Sequence, residues 1–108
     1  MSFINVYVTH PNFNHAKRIG EVLLKEHLIA CVNYHSTESS YWWQGKIERR
    51  NEVVSILKTR KENWAKILRR IRQLHSDKLP CIMKIEVSAS PDYEAWVKAE
   101  SRPRIHNS

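Results

Sequence analysis

The segment that most constrains the fold is residues 41–59. Its first part, residues 41–48, is aromatic and β-branched, and its last part, residues 52–59, is rich in valine, isoleucine and leucine. Both compositions are typical of β-strands. The polar residues 49–51 lie between them, and their asparagine tolerates the left-handed backbone of a tight turn. We therefore predict one long hairpin that turns at residues 49–51 and follows a polar link at residues 35–40.

In this interpretation Gly45 lies inside a strand, where a glycine usually marks a bulge or a close approach of two backbones. Side chains alternate along a strand. Tyr41, Trp43 and Ile47 are therefore expected on one face and Trp42 on the other. Because a large aromatic side chain on an apolar face usually packs in a core, we predict that Trp43 is buried.

The part of the chain before the hairpin reads as strand, helix, strand. Residues 3–9 alternate with an aliphatic face, and Asn12 is a suitable N-cap for a helix over residues 13–27. Gly20 lowers helix stability by about 1 kcal/mol relative to alanine, so we expect it where the helix presses on a sheet. Residues 28–34 have the composition of a strand that is buried on both faces.

The part after the hairpin reads as helix, strand, helix. Thr59 and Glu62 match a capping box, and the helix that they begin should end near Ser76. Residues 81–87 alternate as a strand, and Ser90 precedes a proline suited to the first position of a short helix.

The predicted order is β-α-β-β-α-β with a terminal helix. With right-handed crossovers this order gives an α+β, ferredoxin-like two-layer sandwich, with two helices on one face of four antiparallel strands. The length of 108 residues suits a single domain, residues 1–108, with a frayed tail at residues 101–108.

Composition excludes several classes of protein. The 42% hydrophobic and 27% charged fractions are those of a globular protein, and no apolar run approaches the roughly 20 residues that span a bilayer. The N-terminal residues show no signal-peptide pattern, so we expect a cytoplasmic location. In that reducing compartment Cys31 and Cys81 are expected to be free, buried thiols.

The net charge of +7 is concentrated in residues 58–78, which hold eight basic and two acidic residues. Such a surface favours anionic partners, but it does not distinguish nucleic acid, a phosphate ligand and a solvated helix face.

Several short motifs resemble the divalent-cation tolerance family, CutA, in order and spacing from about Val6 to Trp96. These motifs are Thr9-His10-Pro11 before Ala16, Ala30-Cys31-Val32-Asn33, Ser40-Tyr41-Trp42-Trp43-Gln44-Gly45-Lys46-Ile47, Glu52, Lys58-Thr59, His75 with Pro80, and Tyr93 with Trp96. The resemblance implies a small cytoplasmic homotrimer, similar in assembly to the PII signalling proteins, that serves tolerance of copper and other divalent metals and has no established catalytic activity.

The resemblance also bears on the metal site. Copper binding in relatives has been linked to a cysteine and two adjacent histidines, and the matching positions here are Val8, Leu74 and His75. His75 is therefore the candidate ligand for weak binding of Cu²⁺ or another divalent cation, and the alternative is that its imidazole complements a helix dipole. The other histidines show no ligand spacing and are expected to be surface or packing residues: His10, His15, His27, His35 and His106.

A second candidate site is a cleft between subunits that binds a small ligand. Glu52 and Lys58 are six residues apart on one strand and so share a face, where they would anchor an anion, pair with each other, or serve as ordinary strand-end charges. The family resemblance favours the cleft and adds Tyr41, Trp43, Gln44 and Gly45 to its residues.

Two other functions compete with this interpretation. An RNA-binding RRM has the same element order, but its RNP1 strand carries aromatic side chains, and residues 52–59 contain none. A protein-interaction scaffold is the third possibility. An enzyme is disfavoured, because the chain has no G-x-S-x-G, Walker or H-E-x-x-H motif and only two glycines to shape a phosphate loop.

Overall fold

The computed structural model describes residues 2–103, which form four strands and three α-helices. In chain order these are β1 (Phe3–His10), α1 (Phe13–Lys25), β2 (Cys31–Trp43), β3 (Lys46–Thr59), α2 (Trp64–Leu74), β4 (Ile82–Val87) and α3 (Pro91–Glu100). This order confirms the α+β, ferredoxin-like prediction. No helix within residues 2–103 is long and apolar enough to cross a membrane.

The four strands form one antiparallel sheet in the order β2-β3-β1-β4. Alternate residues of β1, represented by Val6, face the two long helices, and the core includes Leu23 of α1, Leu57 of β3 and Ile71 of α2. On the other face of the sheet, Tyr93 of α3 lies beside Phe3 at the beginning of β1, with ring centroids 6.2 Å apart. The predicted aliphatic face of β1 is therefore confirmed.

Helix α1 begins and ends as its sequence dictates. The Asn12 side chain accepts a hydrogen bond from the backbone N–H of His15 at 2.8 Å, which confirms the predicted N-cap. Gly20 lies against β2, and a Cβ atom there would collide with the Tyr34 hydroxyl. The helix stops before His27, whose backbone is left-handed (φ 55°) and closes the last turn.

The hairpin turns at a different place from the predicted one. Trp43 pairs with Lys46, and the two residues between them, Gln44 and Gly45, both have positive φ (52° and 81°). A two-residue turn with this geometry matches the twist of the flanking strands and favours glycine. The prediction of a turn at residues 49–51 was wrong, and Gly45 shapes the turn instead of a bulge.

The shifted turn changes which side chains share a face. Directly opposed residues point to the same side of a sheet, and Ile47 is opposite Trp42. Ile47 therefore lies on the face of Trp42, and the prediction that it shares a face with Tyr41 and Trp43 was wrong. Trp43 is 40% exposed and Trp42 is 72% exposed, so the predicted burial of Trp43 is also wrong for the single chain.

Strand β2 is continuous through the predicted polar link, since residues 35–40 pair with β3 without a break. It begins at Cys31, whereas residues 28–34 were predicted to form a doubly buried strand. Because β2 is an edge strand with one face uncovered by the long helices, Asn33 and His35 are exposed.

The predicted capping box does not form. Thr59 is buried and its hydroxyl donates to the carbonyl oxygen of Leu28 at 2.6 Å, while the Asn63 amide donates to that hydroxyl at 2.9 Å. A turn of 3₁₀ helix, Lys61–Asn63, then leads into α2. The Thr59 side chain therefore connects β3 to the segment before β2. It does not cap the helix that follows.

The first residue of the predicted frayed tail packs against the rest of the chain. Ser101 is buried, and its hydroxyl donates to the carbonyl oxygen of Val97 at 2.6 Å. The remainder of the predicted tail, residues 104–108, lies outside the described residues.

Candidate functional site: a histidine cluster beside an aromatic groove

Three histidines meet at one end of the two-layer sandwich. His10, His15 and His75 each offer a ring nitrogen, and these three atoms lie within 4.8 Å of one another. Their ring centroids are separated by 4.6 to 5.3 Å. We call these three residues the histidine cluster. The sequence predicted His75 as a ligand, but it assigned surface or packing roles to His10 and His15.

The topology explains why the three residues meet. His10 is the last residue of β1, His15 lies in the first turn of α1, and His75 follows the last residue of α2. Strand β4 runs antiparallel to β1, so the chain that leaves α2 must enter β4 beside the end of β1. The beginning of α1 is at the same end because only two residues separate it from β1.

The hydrogen bonds of the cluster define the protonation of each ring. The backbone N–H of Ser76 donates to His15 Nε2 at 3.3 Å, so the proton of a neutral His15 is on Nδ1 and is donated to His10 Nδ1 at 2.9 Å. His10 then carries its proton on Nε2, which donates to the Ser55 hydroxyl at 2.8 Å.

His75 is fixed in the same way. The backbone N–H of Asp77 donates to His75 Nδ1 at 3.1 Å, and His75 Nε2 donates to the carbonyl oxygen of Thr9 at 2.7 Å. In the tautomers assigned above, His10 and His15 are neutral, with one protonated nitrogen each. Neutral imidazole is the form that binds metal ions.

Burial and mutual repulsion maintain the neutral state of the two buried rings. Burial, followed by repulsion from His15 and His75, lowers the pKa of His10 to about 3. Burial is also the largest cause that lowers the pKa of His15, followed by repulsion from His75 and Arg18, against a smaller opposing effect of Asp77. Protons therefore do not compete for the ring nitrogens of His10 and His15 near neutral pH.

A groove of about 790 Å³ lies on the other side of the segment that follows His75. Aromatic side chains from the hairpin form one wall, and the segment between α2 and β4 forms another. Its lining residues are Tyr7, Thr9, Ser39, Tyr41, Trp42, Trp43, Glu48, Arg50, Glu52, Asp77, Lys78, Leu79 and Cys81.

Arg50 is the central charge of this groove. Its guanidinium lies 3.3 Å from a carboxylate oxygen of Glu52 and 3.3 Å from one of Asp77. Burial acts to lower the pKa of Arg50, but the carboxylates of Asp77 and Glu52 outweigh it and raise the pKa. With Glu48 and Lys78 included, the groove has three carboxylates against two cations, so an anionic ligand would meet an already neutralised guanidinium.

The structure brings together only some of the predicted cleft residues. Tyr41, Trp43 and Glu52 line the groove, whereas Gln44 and Gly45 form the hairpin turn and do not line it. Lys58 lies near the other end of β3, where its ammonium donates to the Tyr93 hydroxyl at 3.2 Å and lies 5.4 Å from the centre of that ring. Within one chain, Glu52 and Lys58 therefore do not form a single anion site.

The two cysteines are free, as predicted, but half-buried instead of fully buried. Cys81 lines the groove, and burial followed by the negative charge of Glu52 raises the pKa of its thiol. A protonated thiol is a poor nucleophile and a poor metal ligand. Cys81 is therefore a weak candidate for either role.

Comparisons with known proteins agree with this fold. The family described as "CutA1 divalent ion tolerance protein" matches residues 4–100. The chain belongs to the CutA1 family. The divalent-cation tolerance protein CutA of Pyrococcus horikoshii is 42% identical over 100 residues, which cover 92% of this chain and 98% of that protein. The family resemblance seen in the sequence is thereby confirmed.

Solved CutA structures are similar to this chain over nearly its full length. The periplasmic divalent cation tolerance protein CutA of Archaeoglobus fulgidus has a TM-score of 0.90 at 34% identity, covering 94% of this chain and 100% of that chain. The PII-like protein CutA of Nostoc sp. PCC 7120, in apo form, has a TM-score of 0.87 at 30% identity, covering 96% of this chain and 100% of that chain. The fold is thus that of PII-like CutA proteins. The P. horikoshii and A. fulgidus relatives are named as tolerance proteins and not as enzymes.

Proposed function

We propose that this CutA1-family protein is a non-enzymatic homotrimer that serves divalent-cation tolerance, copper included, and binds its cation or a small ligand next to the hairpin. The observation that carries the proposal is the part of the hairpin that projects beyond the rest of the sheet. Strand β1 pairs with β3 only from Val53 onwards, so residues 37–43 and 46–52 pair with each other alone within the described chain. We call residues 37–52 the hairpin tip.

The hairpin tip is long and apolar, although its two strands pair only with each other within the described chain. Seven residues in each strand correspond to about 23 Å at 3.3 Å per residue. Besides the two exposed tryptophans, Ile47 is 49% exposed. A second apolar surface lies on the open face of the sheet, where Met83 and Ile85 of β4 are about half exposed. Surfaces of this kind usually mark an interface.

Assembly would cover both surfaces. If the hairpin tip of one protomer packs on the sheet of the next, the contact is head-to-tail and repeats until a ring closes. Membership in the CutA1 family, with its PII-like fold, supports three members in that ring. The edge strand β2 would also gain a neighbour for its unpaired backbone groups.

Analytical ultracentrifugation at micromolar concentration tests the assembly. We expect a species near three times the 12.8 kDa chain mass. A species at the mass of one chain would contradict the proposal. Trp43→Ala is expected to destabilise the protomer or its assembly more than Trp42→Ala, because Trp43 is the less exposed of the pair and loses more packing when it is truncated. Equal effects of the two substitutions would count against that assignment.

Calorimetric titration with Cu²⁺ tests the cation. We expect binding that depends on His75, the ligand that the family resemblance predicted. Tight binding that survives His75→Ala would show that the cation binds elsewhere, for example at the carboxylates of the groove. An anionic ligand is the less favoured occupant, since Arg50 is already paired with Glu52 and Asp77.

RNA binding is the principal alternative function. Strand β3 presents Val54, Ile56 and Lys58 on the open face of the sheet instead of the aromatic side chains that stack RNA bases. A filter-binding titration with single-stranded RNA at two salt concentrations distinguishes the two functions. Tight binding with a steep salt dependence would favour RNA. A protein partner that binds the trimer surface remains the third candidate.

The cytoplasmic location remains a prediction from the sequence, and the name of the A. fulgidus relative places that protein in the periplasm. Cell fractionation with an antibody to the chain tests it, and recovery in the periplasmic fraction would contradict it.

A further inference from the structure

The histidine cluster has a composition that transition metals favour. Three imidazoles converge from β1, α1 and the segment after α2, and no carboxylate belongs to the group of ligand atoms within 4.8 Å in the described chain. Imidazole suits Zn²⁺, Cu²⁺ and Ni²⁺, whereas Mg²⁺ and Ca²⁺ prefer oxygen ligands. Three histidines also form a known ligand set for a metal ion bound in proteins.

We infer that His10, His15 and His75 together form one binding site for a divalent transition-metal ion. This inference rests on the proposed divalent-cation function and names its ligands. It adds two residues, His10 and His15, to the single histidine that the family resemblance implied.

The distances in the cluster are close to those of a metal site. With metal–nitrogen bonds of about 2.0–2.1 Å, two ligand nitrogens in a tetrahedral site lie about 3.3 Å apart. His10 Nδ1 and His15 Nδ1 are 2.9 Å apart, and the largest separation among the three ligand atoms is within 4.8 Å. Side-chain movements on the order of 1 Å would bring all three nitrogens to one ion.

Each ligand is held by a backbone or side-chain contact that limits its motion. The N-cap Asn12 fixes the first turn of α1 and with it His15, and the Ser55 hydroxyl accepts a hydrogen bond from the far side of His10. Such outer contacts orient the imidazoles of metal sites and raise their basicity. His10 already has this arrangement, with Nε2–H bonded outward and Nδ1 directed inward.

The alternative explanation is that the cluster only stabilises the fold. In the hydrogen-bonded state the lone pair of His10 Nδ1 accepts the proton of His15 Nδ1, so a metal ion must replace that bond. The proton of His15 would move to Nε2, where the Ser76 hydroxyl, 3.1 Å away, can accept it in place of the hydrogen bond that the Ser76 N–H donates to this nitrogen. His75 must likewise give up the hydrogen bond from the Asp77 N–H at Nδ1 or, after a change of tautomer, the one to the Thr9 carbonyl oxygen at Nε2. No proton leaves the protein in this exchange.

Isothermal titration of the chelator-treated full chain with Cu²⁺ and with Zn²⁺ tests the inference. We expect one ion per chain. His10→Gln and His15→Gln should each weaken binding by about 100-fold or more, since loss of even an outer contact to a ligand costs 10–100-fold. His35→Gln is the matched control, because His35 is exposed and lies outside the cluster. It should leave the affinity unchanged.

A second measurement does not depend on whether the variants fold. Pulsed electron paramagnetic resonance of the Cu²⁺-loaded wild-type chain counts the imidazoles coupled to the ion. Three imidazoles support the inference. Two imidazoles or fewer overturn it, even if the calorimetric affinities of the variants fall through misfolding.

The outcomes separate this inference from the proposed function. Cation binding with unchanged affinity in His10→Gln and His15→Gln would overturn the inference and leave a divalent-cation trimer intact. A trimer that binds neither Cu²⁺ nor Zn²⁺ would also overturn the inference, while the ultracentrifugation result still supports the assembly. A monomer that binds one ion through three imidazoles would contradict the proposed assembly and support the inference.

Discussion

The two ends of the β2–β3 hairpin have similar strand composition and different surroundings. At the hairpin base, residues 31–36 and 53–59, β3 pairs on its second side with β1 and is covered by the long helices. In the hairpin tip, the same two strands pair only with each other within the described chain, and their apolar side chains are exposed. The comparison teaches that strand propensity and pairing define a hairpin without defining what covers it.

The hairpin base and the hairpin tip differ in the contacts that can stabilise them. At the base, Val54, Leu57 and Thr59 are buried within one chain, so the free energy of their burial is available to an isolated protomer. A two-stranded ribbon is at best marginally stable on its own in water. If the proposed assembly forms, the stability of the hairpin tip depends on a neighbouring chain, and we expect it to change with protein concentration where the stability of the base does not.

The largest expected effect comes from truncating matched side chains on β3. Leu57 is buried at the base and Ile47 lies in the hairpin tip. Leu57→Ala should lower the free energy of unfolding by about 2–5 kcal/mol, because it leaves a cavity in the core. Chemical denaturation should show this loss at every protein concentration. Ile47→Ala should cost little in dilute protein and should instead weaken self-association.

The next effect is a pH dependence of the free energy of unfolding caused by His10, which is hydrogen-bonded to Ser55 of the hairpin base. The pKa of His10 is lowered to about 3 in the fold and is about 6.5 when unfolded. Between these pH values only the unfolded chain binds the proton. The contribution of His10 to the free energy of unfolding is therefore fully present above pH 6.5 and is lost as the pH falls towards 3. From pH 7 to pH 4 this amounts to about 3 kcal/mol. Thermal melts with a chelator present should show it.

The control for the pH effect is His10→Gln. Other groups at the cluster, His15, His75, Arg18 and Asp77, remain in this variant, so any dependence that they cause persists. A melting curve in His10→Gln with the same loss between pH 7 and pH 4 as the wild type would assign the effect to groups other than His10.

A smaller effect is expected where α1 meets β2. Gly20→Ala introduces a Cβ that collides with the Tyr34 hydroxyl, and overpacking of this kind costs about 1–3 kcal/mol. Within the described chain that hydroxyl is buried and has no hydrogen-bond partner. Tyr34→Phe should therefore be nearly neutral alone and should restore most of the stability in the double variant. If the losses of stability in Gly20→Ala and Tyr34→Phe simply add in the double variant, atoms other than the Tyr34 hydroxyl move to relieve the collision.

Much of the fold could be predicted, because element order depends on local patterns. The aliphatic face of β1, the Asn12 cap and the close approach of Gly20 are all local features. The turn was misplaced because residues 49–51 are polar, whereas the real turn, Gln44-Gly45, is flanked by aromatic residues that read as strand. The useful signal was the glycine itself, since a two-residue hairpin turn requires positive φ.

The candidate site was less predictable, because its residues meet only in the tertiary structure. His10 and His75 are far apart in the sequence, and their spacing resembles no metal motif. The β-α-β-β-α-β order nevertheless contained a usable signal: the end of β1, the beginning of α1 and the segment before β4 must lie at one end of the sandwich. Histidines at all three places could have been grouped on that basis.

The smallest expected effect is at the turn of the hairpin tip. It tests whether Gly45 is needed there only because its φ is positive. Gly45 has φ 81°, and a Cβ added there would meet no atom of residues 2–103 within 4 Å. Gly45→Ala should therefore cost only the backbone penalty of a left-handed residue, about 1 kcal/mol. Gly45→Asn, which tolerates this region, should cost less. Because no contact is involved, the loss should be the same in dilute and concentrated protein when measured by chemical denaturation. A loss that grows with protein concentration would instead show that the turn contacts a neighbouring chain.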